Sequence, residues 1–236
     1  MTPVESRIAA LDWPGIEADL ATRGCAATGR LFNSGECAEL AAMYDEDARF
    51  RSRVVMQRHG FGQGEYRYFD YPLPPSLAAW RSALYERLAP LANAWAAALG
   101  QPASYPPEHA AYLARCHAAG QTRPTPLLLR YDEGDYNCLH QDLYGELQFP
   151  LQLTVLLSQP GEDFTGGEFV LTEQRPRMQS RAEVVPLAQG EAVIFAVNHR
   201  PVTGTRGSYR VTMRHGVSRV RSGRRQTLGL IFHDAA

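Results

Sequence analysis

Apolar residues change their period once along this chain. Leu77, Trp80, Leu84, Leu88, Leu91 and Trp95 recur at helical spacing and predict a long helix from Ser76, as its cap, to about Leu99. Cys37, Leu40, Ala41 and Tyr44 predict another from about Gly35 to Asp47, with Ser34 as cap. A third is expected over roughly Pro107 to Ala119. Between the first two lies a segment from Arg49 to Pro75, rich in aromatic residues, Gly and Pro, that reads as a strand, a turn and a loop. From Pro126 the pattern shortens. LLLRY, FPLQLTVLL, GEFVLTE, EVVPL, EAVIFAV, SYRVTM and TLGLIF are apolar runs separated by turn-forming residues, the spacing of an all-β sandwich or barrel. The expectation is an α+β protein. A helical region over residues 1–120 should brace a double-stranded β-helix (jelly roll) core over residues 121–236, the two forming one compact unit.

Composition narrows the function classes. The 236 residues are 44% hydrophobic and 21% charged, an ordinary globular balance with a sizeable core. A net charge of -1 provides no global field for nucleic acid or membrane, although a local basic patch remains open. Every one of the 24 basic residues is Arg, so any anion site must use guanidinium, which grips carboxylates in bidentate fashion. Cys25, Cys37, Cys116 and Cys138 form no CxxC pair, against a disulfide framework or zinc knuckle. The first residues lack the basic flank and apolar run of a secretory signal. No apolar stretch approaches the roughly 20 residues of a membrane span, and the expected location is cytoplasmic.

Candidate chemistry sits in Leu-His140-Gln-Asp142. On a strand, residues i and i+2 point to the same face, so this imidazole and carboxylate can converge on one cation. A third ligand must come from a distant strand, and His215 is the best candidate; His199, in Asn-His-Arg-Pro-Val, is the competitor. Two His and one carboxylate leave coordination positions open, as non-haem Fe(II) requires for a chelating co-substrate and O2. Arg225 follows His215 by ten residues and can hold the distal carboxylate of a dicarboxylic acid. Arg224 competes with it, and strand alternation admits only one to the interior; Arg206 would take the role were His199 the ligand. Tyr131 can add a phenolic hydrogen bond.

The arrangement resembles the 2-oxoglutarate–Fe(II) oxygenases, especially their prolyl-4-hydroxylase-like branch. Tyr131, Gly134, Tyr136, His140 and Asp142 match its first block, Gly166-Gly167-Glu168-Phe169 its Gly-Gly strand start, and His215, Val217, Val220, Gly223 and Arg225 its last block. The resemblance covers about residues 127–233. It implies a jelly roll that uses Fe(II), 2-oxoglutarate and O2, with succinate and CO2 as co-products. The stretch from Asn198 to Arg214 is longer than the family's connection.

Substrate is a separate question. The segment Arg58 to Pro75 carries Tyr66, Tyr68 and Tyr71, and it resembles, over a short span, the recognition region of AlkB-type nucleobase demethylases. A nucleobase could stack on these aromatic faces while Arg58 holds phosphate. Arginines between Arg175 and Arg224 could form an anion surface on the pocket rim. The leading expectation is oxidative dealkylation of methylated bases in DNA or RNA, a repair activity. The alternative is hydroxylation of a prolyl or other protein side chain, which the spacing from His215 to Arg225 favours. A non-enzymatic jelly-roll binding module is the third, disfavoured by the intact triad and clamp.

Overall fold

The computed structural model describes residues 2–102, 104–205 and 207–236. Among them are helices α1 (Pro3–Ala9), α2 (Trp13–Arg23), α3 (Ser34–Ala42), α4 (Pro75–Ala98) and α5 (His109–Ala118). The strands are β1 (Cys25–Arg30), β2 (Phe50–Val55), β3 (Gly62–Gln63), β4 (Glu65–Phe69), β5 (Leu127–Tyr131), β6 (Tyr136–His140), β7 (Leu151–Leu156) and β8 (Phe164–Gly166). They continue with β9 (Phe169–Gln174), β10 (Arg181–Val185), β11 (Glu191–Ala196), β12 (His199–Gly204), β13 (Gly207–Val217), β14 (Val220–Gly223) and β15 (Arg225–Leu230).

Helix starts differ slightly from expectation. A capping box closes the start of α3, with the Asn33 side chain accepting from the Glu36 N–H and Glu36 reaching back to the Asn33 N–H, so Asn33 rather than Ser34 is the cap. The helix gives way to short 3-10 turns from Met43. In α4, Pro75 occupies the first turn, where its missing N–H costs nothing, and Ser76 lies inside the helix.

Two antiparallel sheets carry the rest. The larger has the order β1-β11-β7-β15-β5-β4-β2; the smaller runs β10-β9-β13-β6-β3, with β12 paired to β13. Strands β1, β2 and β4 come from the first 120 residues, so the two halves of the sequence share one sheet. The extra length between Asn198 and Arg214 is the β12–β13 hairpin, in which His199 lies opposite Thr212. Arg206 lies outside the described residues.

Alternation along β5 and β15 sorts the larger sheet's two faces. Leu128, Leu228 and Leu230 join the core that also holds Leu77, Leu84 and Leu88 of α4. Leu127, Leu129, Tyr131, Arg225 and Thr227 face the other way and line a cavity against the smaller sheet. The ring of Phe195, on β11, reaches across to within 4.6 Å of the His215 ring on β13. Helices therefore cover one face of the larger sheet and the second sheet covers the other.

Candidate metal and co-substrate centre

Strand register brings the two histidines together. His215 lies directly opposite His140 in the β13–β6 pair, and their ring centroids are 4.2 Å apart. His140 ends its strand, so Asp142 stands in the following loop, yet it turns back to the same side. Its Oδ1 is 3.4 Å from His140 Nε2 and its Oδ2 is 3.3 Å from His215 Nε2. One ligand atom from each residue falls within 4.8 Å of the others. Ligands about 2.1 Å from a common first-row metal sit about 3 Å from one another, so small adjustments suffice. The Nδ1–H of His140 donates to the Cys138 carbonyl at 2.8 Å, which leaves Nε2 as its inward-facing atom.

Charge favours a cation here. Burial alone would push the Asp142 carboxyl up, but hydrogen bonds and charge from His140 and His215 hold it well below the usual range. Burial works against a charged His140, and the Asp142 carboxylate overcomes it, raising that imidazole. His215 is pushed down by burial and by the neighbouring His140. The rings of Phe169 and Phe195 flank His215 and keep it dry.

Opposite the triad, β15 opens with Arg225, which lies beside Tyr131 in the β15–β5 register. Its guanidinium carbon is 5.6 Å from the Tyr131 ring centroid. Arg225 is 2% exposed, its Nε has no hydrogen-bond partner, and burial pulls its pKa down to about 10. An isolated guanidinium in such a place calls for an anion. Arg224 faces outward and donates from Nε to Asp132 at 2.6 Å. Gly167, in the left-handed region at φ +63°, explains the Gly-Gly signature: a Cβ there would stand 2.8 Å from Arg225 Cδ. The Tyr131 hydroxyl is buried and accepts from Asn137 Nδ2 at 3.4 Å.

Between the sheets lies a cavity of about 360 Å³, walled by the triad on one side and by Tyr66, Tyr131, Thr154, Thr227 and Arg225 on the other. Of the expected substrate residues, Tyr66 lines it. Tyr68 is buried behind, edge-on to Tyr66 at 5.4 Å and to Tyr144 at 6.1 Å. Arg58 is exposed on a 3-10 turn outside the cavity wall. Tyr71 is away from the cavity, and its hydroxyl donates to Asp234 Oδ2 at 2.8 Å. The structure thus brings together His140, Asp142, His215, Arg225, Tyr131 and Tyr66, and leaves Arg58 and Tyr71 apart. His199 belongs to a different cavity, with Arg210 and Trp95.

Sequence reasoning missed Tyr144, Gln152, Thr154, Thr227 and the rim residue Phe61, all of which line the cavity. Thr227 was legible as the same-face neighbour two places after Arg225. Gln152 and Thr154 sit in an apolar run and carry no signal of their own. Of the expected rim of arginines, Arg175, Arg181 and Arg200 converge on Glu173 and Arg224 pairs with Asp132.

The model of the Oxygenase-NA family, described as "Oxygenase, catalysing oxidative methylation of damaged DNA", matches residues 64–235. Uncharacterized protein Rv2227 of Mycobacterium tuberculosis is 52% identical over 190 residues, covering 80% of this chain and 79% of that protein. Among solved structures, a prolyl hydroxylase from Trichoplax adhaerens, in complex with a hypoxia inducible factor peptide, superposes with a TM-score of 0.54 at 12% identity, over 96% of this chain and 89% of its own. A 2OG-Fe(II) oxygenase family oxidoreductase from Burkholderia pseudomallei gives 0.51 at 17% identity, over 94% and 91%. These two likenesses are of fold. The chain belongs to the Oxygenase-NA family.

Proposed function

We propose that His140, Asp142 and His215 hold the Fe(II), that Arg225 and Tyr131 receive the distal carboxylate of 2-oxoglutarate, and that the enzyme oxidatively dealkylates methylated bases in DNA or RNA. The two sheets are read as a double-stranded β-helix with the centre between them. One observation carries the site: a buried guanidinium without an ion-pair partner among the described residues faces a His-Asp-His cluster across one cavity. Both groups fit. The donor set suits Fe(II) and leaves positions free, and the guanidinium suits a dicarboxylic acid.

Held by His140, Asp142 and His215, Fe(II) would supply the coupling of 2-oxoglutarate decarboxylation by O2, to succinate and CO2, with hydroxylation of a substrate C–H bond. The chain's own part is positional. Arg225 and Tyr131 fix one end of the co-substrate, Phe169 and Phe195 exclude water beside His215, and Tyr66 offers a ring to the substrate. Where the hydroxylated carbon is bonded to nitrogen, the C–N bond breaks with its electron pair going to nitrogen, the hydroxyl proton passes to that nitrogen, and the carbon–oxygen bond becomes a carbonyl. A methyl group then leaves as formaldehyde. The family's description in terms of damaged DNA supports a nucleobase, as do the aromatic wall at Tyr66 and the exposed Phe61 at the rim. Hydroxylation of a protein side chain is the second reading. It is favoured by the ten-residue step from His215 to Arg225 and by the fold likeness to prolyl hydroxylases.

The test is iron-loaded protein with 2-oxoglutarate and a panel of methylated single-stranded oligonucleotides, measuring succinate and formaldehyde together. Equal yields of both, abolished by His140→Ala, are expected. Succinate without formaldehyde on every oligonucleotide, with one oxygen gained by a protein partner, would transfer the assignment to the second reading.

A further inference from the structure

The loop after β6, which carries Asp142, is tied at Tyr144 and Leu147 to Gln121 and to the C-terminal residues. Gln121, almost fully buried, donates from Nε2 to the Leu147 carbonyl at 3.0 Å and to the Asp234 carbonyl at 2.6 Å, and its Oε1 accepts the Leu147 N–H at 2.8 Å. The Ala236 N–H donates to the Tyr144 carbonyl at 3.2 Å. Gly145 has no room for a Cβ, which would stand 2.4 Å from the Gln121 side chain. Tyr144 is therefore fixed at its backbone, and its ring is fixed by Tyr68 and by His233 at 6.3 Å. From that position its hydroxyl donates to Asp142 Oδ1 at 2.5 Å.

The two oxygens of Asp142 are thereby made unequal. Each faces one imidazole, Oδ1 that of His140 and Oδ2 that of His215, but only Oδ1 also accepts the Tyr144 hydroxyl. A carboxylate free to rotate can take a cation with both oxygens and occupy a position the co-substrate needs. One held by a phenol presents a single oxygen in a fixed direction.

We propose that Tyr144 is a positioning residue of the metal centre: its hydroxyl orients Asp142 so that Oδ2 alone is offered to the metal. This rests on the triad being the metal site. It adds a residue that the HxD signature does not contain, two places beyond the carboxylate.

Metal-free full-length protein is titrated with Mn(II), and the free ion is counted by electron paramagnetic resonance, for wild type, Tyr144→Phe and Asp142→Ala. Replacement by Phe keeps the ring against Tyr68 and His233 and removes only the hydroxyl. Tyr144→Phe should bind Mn(II) about ten- to a hundred-fold more weakly, while the metal-free protein still melts in one cooperative transition, at a temperature lowered only modestly by the lost hydrogen bond; Asp142→Ala should show no specific binding. Wild-type affinity in Tyr144→Phe, with binding lost in Asp142→Ala, overturns the positioning role and leaves the metal site standing. A weakened affinity in a metal-free protein that no longer melts in one cooperative transition assigns Tyr144 to packing and also overturns it. Wild-type affinity in Asp142→Ala removes the metal site itself.

Discussion

Arg224 and Arg225 are adjacent, chemically identical and opposite in fate. Alternation along β15 sends one out to Asp132 and the other into the cavity beside Tyr131. The sequence could say that only one faces inward, and the ten-residue step from His215 favoured Arg225, the one that lines the cavity. What it could not convey is the room Arg225 needs. Gly167 supplies that room, and its φ of +63° is itself unfavourable for any other residue. Gly167→Ala should cost about 1–2 kcal/mol from the left-handed backbone alone. It should also push Arg225 Cδ away, raising the 2-oxoglutarate KM several-fold with kcat little changed. Steady-state kinetics and a urea melt check both halves, and an unchanged KM would detach Gly167 from the clamp.

Elements position these side chains by register and by anchorage. The β13–β6 register delivers His215 to His140, and HxD spacing anticipated the convergence even though Asp142 lies beyond the strand end. The contribution of β1 to the larger sheet was not legible, whereas the segment from Arg49 to Pro75, read as a strand, a turn and a loop, supplies its strands β2 and β4. Cys25–Arg30 buries its first two residues in a row and exposes most of the rest, so it has no period-2 signal; its place is decided by pairing with β11. Tyr71 was misleading for a related reason, since aromatic and Gly/Pro content does not distinguish a pocket wall from an anchor. Its partner Asp234 forms a buried ion pair with Arg81 of α4 at 2.8 Å. Arg81 also donates to the Ile231 and His233 carbonyls, fastening the C-terminal residues to the helix. Removing either charge strands the other. Arg81→Met or Asp234→Asn should each cost about 3–5 kcal/mol in urea unfolding, and the double variant Arg81→Met/Asp234→Leu much less than their sum. A loss below about 1 kcal/mol in either single variant would mean that the pair is not the fastening.

At the scale of the whole molecule, a net charge of -1 implies a globular chain without a global field. Composition was silent on which titratable groups fold neutral. His109 and His233 are two such groups, at 1% and 0% exposure. The Phe232 carbonyl can only accept, so His109 Nε2 donates to it at 2.9 Å, and Nδ1 is left to accept from the Ser82 hydroxyl at 3.1 Å. In His233, Nδ1 accepts the Phe149 N–H at 3.2 Å, and Nε2 is buried with no partner. Burial, reinforced by the nearby Arg81 cation, drives both pKa values down to about 4. An unfolded histidine binds its proton near pH 6.5. Between about pH 6.5 and 4 the unfolded chain therefore holds more protons, and stability must fall as pH falls through that window. The contribution is complete above the window and its loss levels off below it, on the order of 3 kcal/mol per histidine at most. Metal-free protein should show a urea midpoint that declines steadily from pH 7 to 4.5. In His109→Gln, where an amide supplies the donor to Phe232 without a titrating proton, the decline should be shallower than in wild type, the rest coming from His233, His215 and the depressed carboxylates. A midpoint independent of pH across that range would contradict the neutral assignment of both rings.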